Sequence, residues 1–228
     1  MKPVVNLVVV AHPDDEILGF GATGATLVNK GEIVQAIILS GQVEARAGRP
    51  PVEELLSNAN EANRLLGFND PVIANFPNLR MRSCSHLDLV RFIEEQIYKF
   101  QPSRIFTHHP GDLNQDHTEV ATACMAAARL FQRIQGVRSL RSLSYMEILS
   151  STDWSFSFGP NTFSPNSFIE IEATLDLKIL ALSKYKNIMR DFPHPRSIEI
   201  IKGHAAYRGG QCGLRYAEAF QSIFSIGF

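Results

Sequence analysis

The apolar residues of this chain form short runs rich in β-branched side chains, which alternate with longer segments of helical period. Short runs of this kind predict strands, and the longer period predicts helices that bury one face. The predicted strands are 4–11, 32–40, 71–76, 103–109 and 143–149. The predicted helices are 16–30, 52–67, 86–100, 117–134, 173–190 and 195–208.

Strands that alternate with helices predict right-handed crossovers between parallel strands, with helices covering both faces of the sheet. We therefore expect an α/β protein, a Rossmann-like three-layer sandwich with a mainly parallel sheet, folded as a single domain over residues 1–228. The segment 150–170, rich in Ser, Phe, Asn and Pro, is predicted to be a loop or short hairpin within that domain. In this architecture ligands bind at the carboxyl ends of the strands.

Composition and charge narrow the classes of partner. The chain has 22 Lys and Arg against 23 Asp and Glu, a net charge of −1, which gives no overall attraction to nucleic acid or to an anionic membrane. No apolar run approaches the roughly 18 residues of a membrane span. Three widely spaced cysteines fit a reducing compartment, so we expect a cytoplasmic protein that contacts no nucleic acid and has no membrane span. The sequence is compatible with a homo-oligomer.

Two polar clusters come directly after predicted strands. The first is Ala-His-Pro-Asp-Asp-Glu at 11–16, and the second is His-His-Pro-Gly-Asp-Leu-Asn-Gln-Asp-His at 108–117. Four of the seven histidines lie in these two loops. Because the carboxyl ends of parallel strands meet at one edge of a sheet, we expect the loops to lie close together in the fold.

Imidazole and carboxylate at this spacing suit a divalent metal. His12 and a carboxylate three positions later can converge within one turn, and a histidine of the second loop would complete three protein ligands. Three ligands leave one position open for water, as in catalytic zinc sites, and such water can attack an amide or ester carbonyl. Spacing alone leaves open which of Asp14, Asp15 and Glu16 binds the metal and which acts as the base. The same acids also suit a purely structural role at a helix start.

These motifs resemble those of the PIG-L/LmbE-like family of zinc-dependent N-deacetylases. The family's first motif, AHPDDE, is unbroken at 11–16, an Asp-His pair follows at 116–117, and a weaker match, Tyr-Ala-Glu-Ala-Phe, lies at 216–220. The resemblance covers the length of the chain. It implies hydrolysis of the N-acetyl group of an amino sugar or sugar conjugate, including nucleotide-linked sugars of glycoconjugate biosynthesis.

The resemblance also assigns roles to residues. It implies that His12, Asp15 and His117 bind zinc and that Asp14 is the general base. Another divalent metal such as Fe²⁺ is compatible with these ligands, because sets of nitrogen and oxygen donors bind several metals. Around them, His108 and His109 are expected to support the site, and Asp112 and Asp116 to orient His117 or backbone amides.

One departure from the family pattern concerns the proton donor. Many members have His-Pro-Asp-His at the second motif, whereas this chain has Asn-Gln-Asp-His at 114–117. Asn114 can donate a hydrogen bond to a developing oxyanion but cannot supply a proton. We expect either protonated Asp14 or His194, which lies in a turn-like Phe-Pro-His-Pro segment, to supply it, with His194 as the first choice.

Three arginines are predicted to bind the substrate. Arg46 and Arg80 lie in loops after predicted strands, and Arg196 belongs to a basic stretch late in the chain. If they converge on the site, they could hold the phosphates of a nucleotide-linked or lipid-linked sugar.

Two other functions are compatible with these residues. One is a metal-dependent esterase or amidase acting on a non-sugar substrate, and the other is a non-catalytic protein that binds a metal or a sugar on the same scaffold. Asp14 argues against the second, because binding alone needs no base beside the metal. The segment 19–24 also matches the dinucleotide fingerprint GxGxxG, but no strand ends at its first glycine, so we interpret these glycines as a close-packing surface.

Overall fold

Strands and helices alternate along the chain in the computed structural model, which describes residues 3–42, 50–156 and 161–227. The strands within these ranges are β1 (Val5–Val10), β2 (Ile33–Ile38), β3 (Val72–Ile73), β4 (Arg104–His108), β5 (Ser142–Met146), β6 (Ser167–Glu170) and β7 (Ala217–Ser225). The helices are α1 (Asp15–Asn29), α2 (Val52–Leu65), α3 (His86–Phe100), α4 (Gln115–Ala127), α5 (Leu175–Leu182) and α6 (Ile198–Gly210).

The strands form one sheet in the order β3-β2-β1-β4-β5-β7-β6. The first five strands are mutually parallel, and β7 and β6 extend the sheet antiparallel beyond β5. From β1 the sheet grows first through β2 to β3, and then on the other side of β1 through β4 to β5. The strand order therefore reverses between β1 and β4, which is where an open α/β sheet forms its ligand-binding crevice.

The two faces of the sheet are covered by different helices, as a three-layer sandwich requires. Every residue of β1 is buried, which explains its continuous apolar run. Val8 and Val10 belong to the core shared with α1, α2, α5 and α6. Leu7 and Val9 belong to the core shared with α3 and α4. The predicted fold class, a mainly parallel α/β sheet with helices on both faces, is confirmed.

The glycines of α1 allow this helix to pack very closely. A Cβ atom on Gly19 would come within 2.7 Å of both Met146 and Ile148, and one on Gly24 within 2.2 Å of the ring of Phe68. The structure thus agrees with the interpretation of this segment as a packing surface. Because α1 begins at Asp15, this packing also fixes the helix that carries the first motif.

The carboxyl-terminal part of the chain differs from the sequence prediction. No strand was expected at 217–225, yet β7 lies inside the sheet between β5 and β6. The segment 150–170, expected to be a loop or hairpin, contains a 3₁₀ turn (Asp153–Ser155) and the edge strand β6. β6 finds its partner about 50 residues later along the chain, a long-range pairing that local sequence pattern does not reveal.

Two helices are shorter than their apolar periods suggest. The helix expected at 117–134 is α4 followed by a 3₁₀ turn, and the helix expected at 173–190 ends at Leu182. None of the helices within the described ranges combines the length and the apolar character that crossing a bilayer requires.

Candidate metal centre

The two motif loops are joined where β1 and β4 end. The backbone amide of Ala11 donates a hydrogen bond of 2.8 Å to Nε2 of His108, across 97 positions of sequence. Asp14 follows with φ 105°, a conformation that costs free energy for a residue with a side chain and is found preferentially at functional sites. Asp15 comes next and is the first residue of α1.

Two imidazoles and one carboxylate converge at this point. Nδ1 of His12 lies 3.3 Å from Oδ2 of Asp15, and Nε2 of His117 lies 3.2 Å from the same oxygen. One ligand atom from each of the three residues lies within 4.8 Å of the others, and all three side chains are buried. The structure therefore brings together the three residues to which the family resemblance assigns the metal, as a grouping able to hold an ion.

A second set of acids holds the two imidazoles. Oδ2 of Asp112 lies 3.2 Å from Nδ1 of His117, on the opposite side of the ring from Asp15. Oδ2 of Asp116 lies 3.0 Å from Nε2 of His12, and its carboxylate also accepts hydrogen bonds from the backbone amides at 79 and 81. Each ring therefore has one nitrogen beside a supporting carboxylate and the other turned toward Asp15, as metal-binding histidines require.

Buried charge shapes the protonation of this cluster. Burial acts to lower the pKa of His117, but the carboxylates of Asp15 and Asp112 outweigh it and raise the pKa to about 10. Burial would likewise raise the pKa of Asp15, yet the neighbouring imidazoles, His117 foremost, hold it well below its ordinary value. The negative potential of these acids favours a cation between the imidazoles, and two nitrogens with one carboxylate oxygen are a donor set of zinc or iron. The residues fit a divalent metal ion.

His108 supports the site without joining the triad. Its ring stacks on that of His117, with ring centres 3.9 Å apart and an angle of 11° between the planes. Burial, helped by the charge on His117, lowers the pKa of His108 to about 3, so its ring is neutral and Nε2 accepts the Ala11 amide. This arrangement agrees with the supporting role expected from the sequence.

A cavity of about 350 Å³ opens beside the triad. Asp14, Asn114 and Arg196 contribute polar side chains to its wall, and Leu79 and Leu113 contribute apolar ones. Nη1 of Arg196 lies 3.4 Å from Oδ2 of Asp14, and its Nε donates a 2.8 Å hydrogen bond to the hydroxyl of Ser150. A polar pocket of this size, with a carboxylate next to a metal centre, suits a small substrate.

Asn114 occupies the position of the first histidine in the family's second motif. Its Oδ1 accepts a 3.0 Å hydrogen bond from the backbone amide of Asp116 and so caps α4. Because this oxygen is committed to the cap, the side chain offers only its NH₂ group to a ligand in the cavity.

Two of the predicted side chains, among the described residues, do not line the cavity, and a third predicted residue lies outside those residues. His194 does not line it in the part of the chain that the structure describes, and its Nδ1 accepts a hydrogen bond from the backbone amide of Arg196 instead. The same turn directs Arg196 to the cavity, so the assignment of the proton donor to His194 stays a prediction that this geometry does not support. Arg80 is exposed and does not line the cavity either, because Asp116 holds the backbone so that the preceding Leu79 does. Arg46 lies outside the described residues.

Sequence reasoning missed the residues that fix Glu16. Its buried carboxyl group accepts hydrogen bonds from the Asn63 side chain at 2.9 Å, from the hydroxyl of Tyr185, and from the backbone amide of Asp14 at 3.0 Å. Burial raises the pKa of Glu16 to about 7. Asn63 lies in α2 and Tyr185 lies just beyond the end of α5, and no local motif connects them to the first loop.

Three residues able to hold a metal ion, with the further carboxylate of Asp14 at the same cavity and at the switch point of an α/β sheet, define a class, the metal-dependent hydrolases. Comparison with known families is more specific. The model of the family described as PIG-L, GlcNAc-PI de-N-acetylase, matches residues 7–128, which is more than half of the 228. The chain belongs to this family of metal-dependent deacetylases, hydrolases that act on amides.

Individual relatives agree with the family, and they show that the fold alone does not determine the reaction. The uncharacterized deacetylase YaiS of Escherichia coli K12 is 29% identical over 189 residues, covering 79% of this chain and 90% of that one. The N,N'-diacetylchitobiose deacetylase of Pyrococcus horikoshii has a TM-score of 0.79 at 18% identity, covering 97% of this chain and 84% of that one. GalB, the 4-carboxy-2-hydroxymuconate hydratase of Pseudomonas putida KT2440, has a TM-score of 0.77 at 19% identity, covering 99% of this chain and 98% of that one. Because the fold serves both a deacetylase and a hydratase, the site residues must decide the reaction.

Proposed function

We propose that this chain is a zinc-dependent N-deacetylase that hydrolyses the acetamide of an amino sugar or a sugar conjugate. The observation that carries the proposal is the convergence of His12, Asp15 and His117, with the carboxylate of Asp14 beside them in one cavity. The family description and the name of the chitobiose deacetylase support an acetamido sugar as the substrate.

His12, Asp15 and His117 would hold the metal. A bound divalent ion polarises a carbonyl group and lowers the pKa of water, which is the activation that amide hydrolysis needs near neutral pH. Asp112 and Asp116 orient the two imidazoles so that Nδ1 of His12 and Nε2 of His117 face Asp15.

Asp14 is the group placed to move the proton. Its carboxylate accepts the proton of the attacking water and then donates it to the sugar nitrogen as the C–N bond breaks, so that acetate and a free amine are released. Arg196 fixes this carboxylate from one side at 3.4 Å and is itself fixed by Ser150. Because His194 does not line the cavity, Asp14 serves as both base and acid in this proposal.

Asn114 stabilises the oxyanion of the tetrahedral intermediate. Its NH₂ group is the part of the side chain left available by the cap on α4, and a positioned donor at such an oxyanion lowers the barrier by about 3–4 kcal/mol. The departure from the family's histidine thus removes a titratable group and keeps a hydrogen-bond donor.

The cavity limits the substrate. At about 350 Å³ it accommodates a small polar group, and Leu79 and Leu113 provide apolar surface for an acetyl methyl group or the sugar ring. Arg196 lines the cavity, and its guanidinium is already paired with the carboxylate of Asp14. This pairing supports a neutral saccharide over a nucleotide-linked sugar, because a paired guanidinium gains less from a phosphate.

The test is acetate release from N-acetylglucosamine, N,N'-diacetylchitobiose and UDP-N-acetylglucosamine, measured with zinc, with Fe²⁺ and with a chelator. We expect turnover that the chelator abolishes and a metal restores. Asp14→Asn should keep the metal and lose about 10²-fold or more in kcat, the scale of general-base catalysis. His117→Ala should lose the metal. His86→Ala, a change at an exposed histidine on α3, should alter neither metal binding nor kcat.

Other outcomes would support the alternatives. Faster hydrolysis of p-nitrophenyl acetate than of any acetamide would indicate an esterase. A protein that binds zinc tightly but releases no acetate from any acetamide would indicate a binding protein. Loss of metal in Asp14→Asn would show that Asp14 and Asp15 have exchanged roles.

A further inference from the structure

A second cavity, of about 440 Å³, lies next to the metal centre and is lined by aromatic side chains. Phe156, Phe163 and Tyr207 of α6 line it. None of these three residues belongs to the metal-binding motifs, and the proposed deacetylation makes no use of them. We call this space the aromatic cavity.

The aromatic side chains around this cavity are unusually exposed. Phe156 is 70% exposed, Tyr207 is 62% exposed, and Trp154, which packs edge-on against Phe156 at 5.6 Å between ring centres, is 54% exposed. Grouped large aromatic side chains in contact with water are typical of binding surfaces, because burying them against a ligand releases free energy.

Charged groups are fixed among these rings. Arg208 donates two hydrogen bonds to Glu147, at 2.8 and 2.6 Å, and a third, at 2.9 Å, to Gln211. Its guanidinium carbon lies 5.9 Å from the ring centre of Phe163 and 5.5 Å from that of Tyr207. A guanidinium group has five N–H donors, so two are left for a ligand after these three bonds. The cavity therefore combines apolar ring faces with oriented hydrogen-bonding groups.

This combination fits a sugar better than the other ligand classes. A pyranose ring has an apolar C–H face, which suits an aromatic ring, and hydroxyl groups at its edge, which suit carboxylate and guanidinium. An anionic ligand would gain little, because Glu147 already neutralises Arg208. A purely apolar partner would leave this charged pair covered and without water, which costs free energy.

The aromatic cavity shares a wall with the catalytic one. Thr152 lines the aromatic cavity and the adjacent Ser151 lines the metal-side cavity. Both hydroxyl groups donate to Asp112, the acid that holds His117. Two consecutive residues thus line the two cavities, one each.

We propose that the aromatic cavity is an outer carbohydrate-binding site, which takes a pyranose ring of the saccharide whose acetamido sugar enters the metal-side cavity. The choice of a sugar rests on the proposed function, while the site itself rests on the contacts described above. It predicts that the protein binds a disaccharide or longer glycan more tightly than a monosaccharide.

The chain offers a probe next to this cavity, because Trp154 is its single tryptophan and packs against Phe156. We would titrate zinc-loaded Asp14→Asn protein, which does not consume the ligand, with N-acetylglucosamine and its β-1,4-linked di- and trisaccharides, and follow tryptophan emission and the heat of binding. We expect a saturable change in emission with the di- and trisaccharide, at lower concentrations than with the monosaccharide.

A matched pair of variants locates the binding. Tyr207→Ala should weaken di- and trisaccharide binding by about fivefold or more, the scale of one lost stacking contact. Tyr98→Ala removes a tyrosine of the same exposure, 61% against 62%, from α3 on the opposite face of the sheet, and should have no effect. Both variants keep Trp154, so the readout is unchanged.

Several results would overturn the proposal. One is unchanged emission and no heat with every saccharide up to about 10 mM, tenfold above a weak Kd of 1 mM. Others are a response to vesicles of phosphatidylcholine and phosphatidylglycerol but to no saccharide, or a dimer that Tyr207→Ala dissociates while saccharide binding is absent. Acetate release by the wild-type enzyme is measured separately. Saturable emission without turnover refutes the proposed function alone, and turnover with neither an emission change nor heat in the titration refutes the aromatic site alone.

Discussion

Replacing Asp112 by asparagine tests whether the acid behind His117 sets the affinity of the metal centre. The carboxylate is buried, lies 3.2 Å from Nδ1 of His117, and accepts hydrogen bonds from Ser151, Thr152 and the backbone amide of Asn114. Asparagine keeps the shape and one acceptor oxygen but removes the negative charge. The imidazole becomes a weaker donor to the metal, because the charge no longer raises its basicity.

The expected size of the effect follows from this geometry. Removing a supporting carboxylate from a metal-binding histidine weakens metal affinity by about 10- to 100-fold, or about 1.4–2.7 kcal/mol. Thr152→Val removes one hydroxyl that holds Asp112 at 2.6 Å and leaves the charge in place. We expect Thr152→Val to lower the metal affinity by less than Asp112→Asn does.

The assay is zinc affinity by competition with a chelator of known Kd, followed by kcat at saturating zinc. Asp70→Asn, which removes a carboxylate from an exposed ion pair with Arg64, is the control and should leave the affinity unchanged. If Asp112→Asn binds zinc as tightly as the wild type while His117→Ala does not bind it, the carboxylate does not act through His117 and the reasoning fails.

Three further predictions concern other parts of the molecule. Asn114→Ser keeps a capping oxygen for α4 but loses the NH₂ donor. The value of kcat should therefore fall about 10²- to 10³-fold with little change in unfolding temperature. A marked fall in unfolding temperature together with the fall in kcat would indicate a structural role. Gly24→Ala places a Cβ atom 2.2 Å from a core ring and should destabilise the fold by about 1–3 kcal/mol in urea unfolding, whereas Gly203→Ala, with open space around it, should not. Burial acts to raise the pKa of Glu147, but His204 and Arg208 hold it below its ordinary value of 4.5. The stabilisation by its carboxylate is therefore complete above pH 4.5 and is lost as pH falls through the lower folded-state pKa. The difference in unfolding free energy between the wild type and Glu147→Gln should shrink over that fall in pH. A difference that stays constant with pH would contradict the assignment.

The sequence determined the parts of this protein that depend on neighbouring positions. The alternation of strand and helix periods predicted β1 to β5 and the parallel sheet, because each period reflects which side of an element is buried. The motif at 11–16 follows a strand, and any residue there must reach the carboxyl edge of the sheet. The pattern therefore predicted that the two motif loops meet, and the family resemblance singled out His12, Asp15 and His117 within them, the three residues that the structure groups.

Other features depended on contacts between distant segments. β7, near the end of the chain, pairs with β5 and β6, and its apolar pattern does not predict which strands it pairs with. His194 and Arg196 lie two positions apart in one turn, and packing alone decides that the arginine reaches Asp14.

The same division applies within the catalytic region and the aromatic cavity. The sequence determined the chemical groups of the two motifs and their approximate meeting place, since strand ends fix a position to within one turn. Only the tertiary structure decided that Ser151 and Thr152 hold Asp112, that Tyr185 holds Glu16, and that exposed aromatic rings surround a second cavity. A hydrogen bond or a stacked ring requires placement within about half an ångström, and that precision comes from the packing of the whole core.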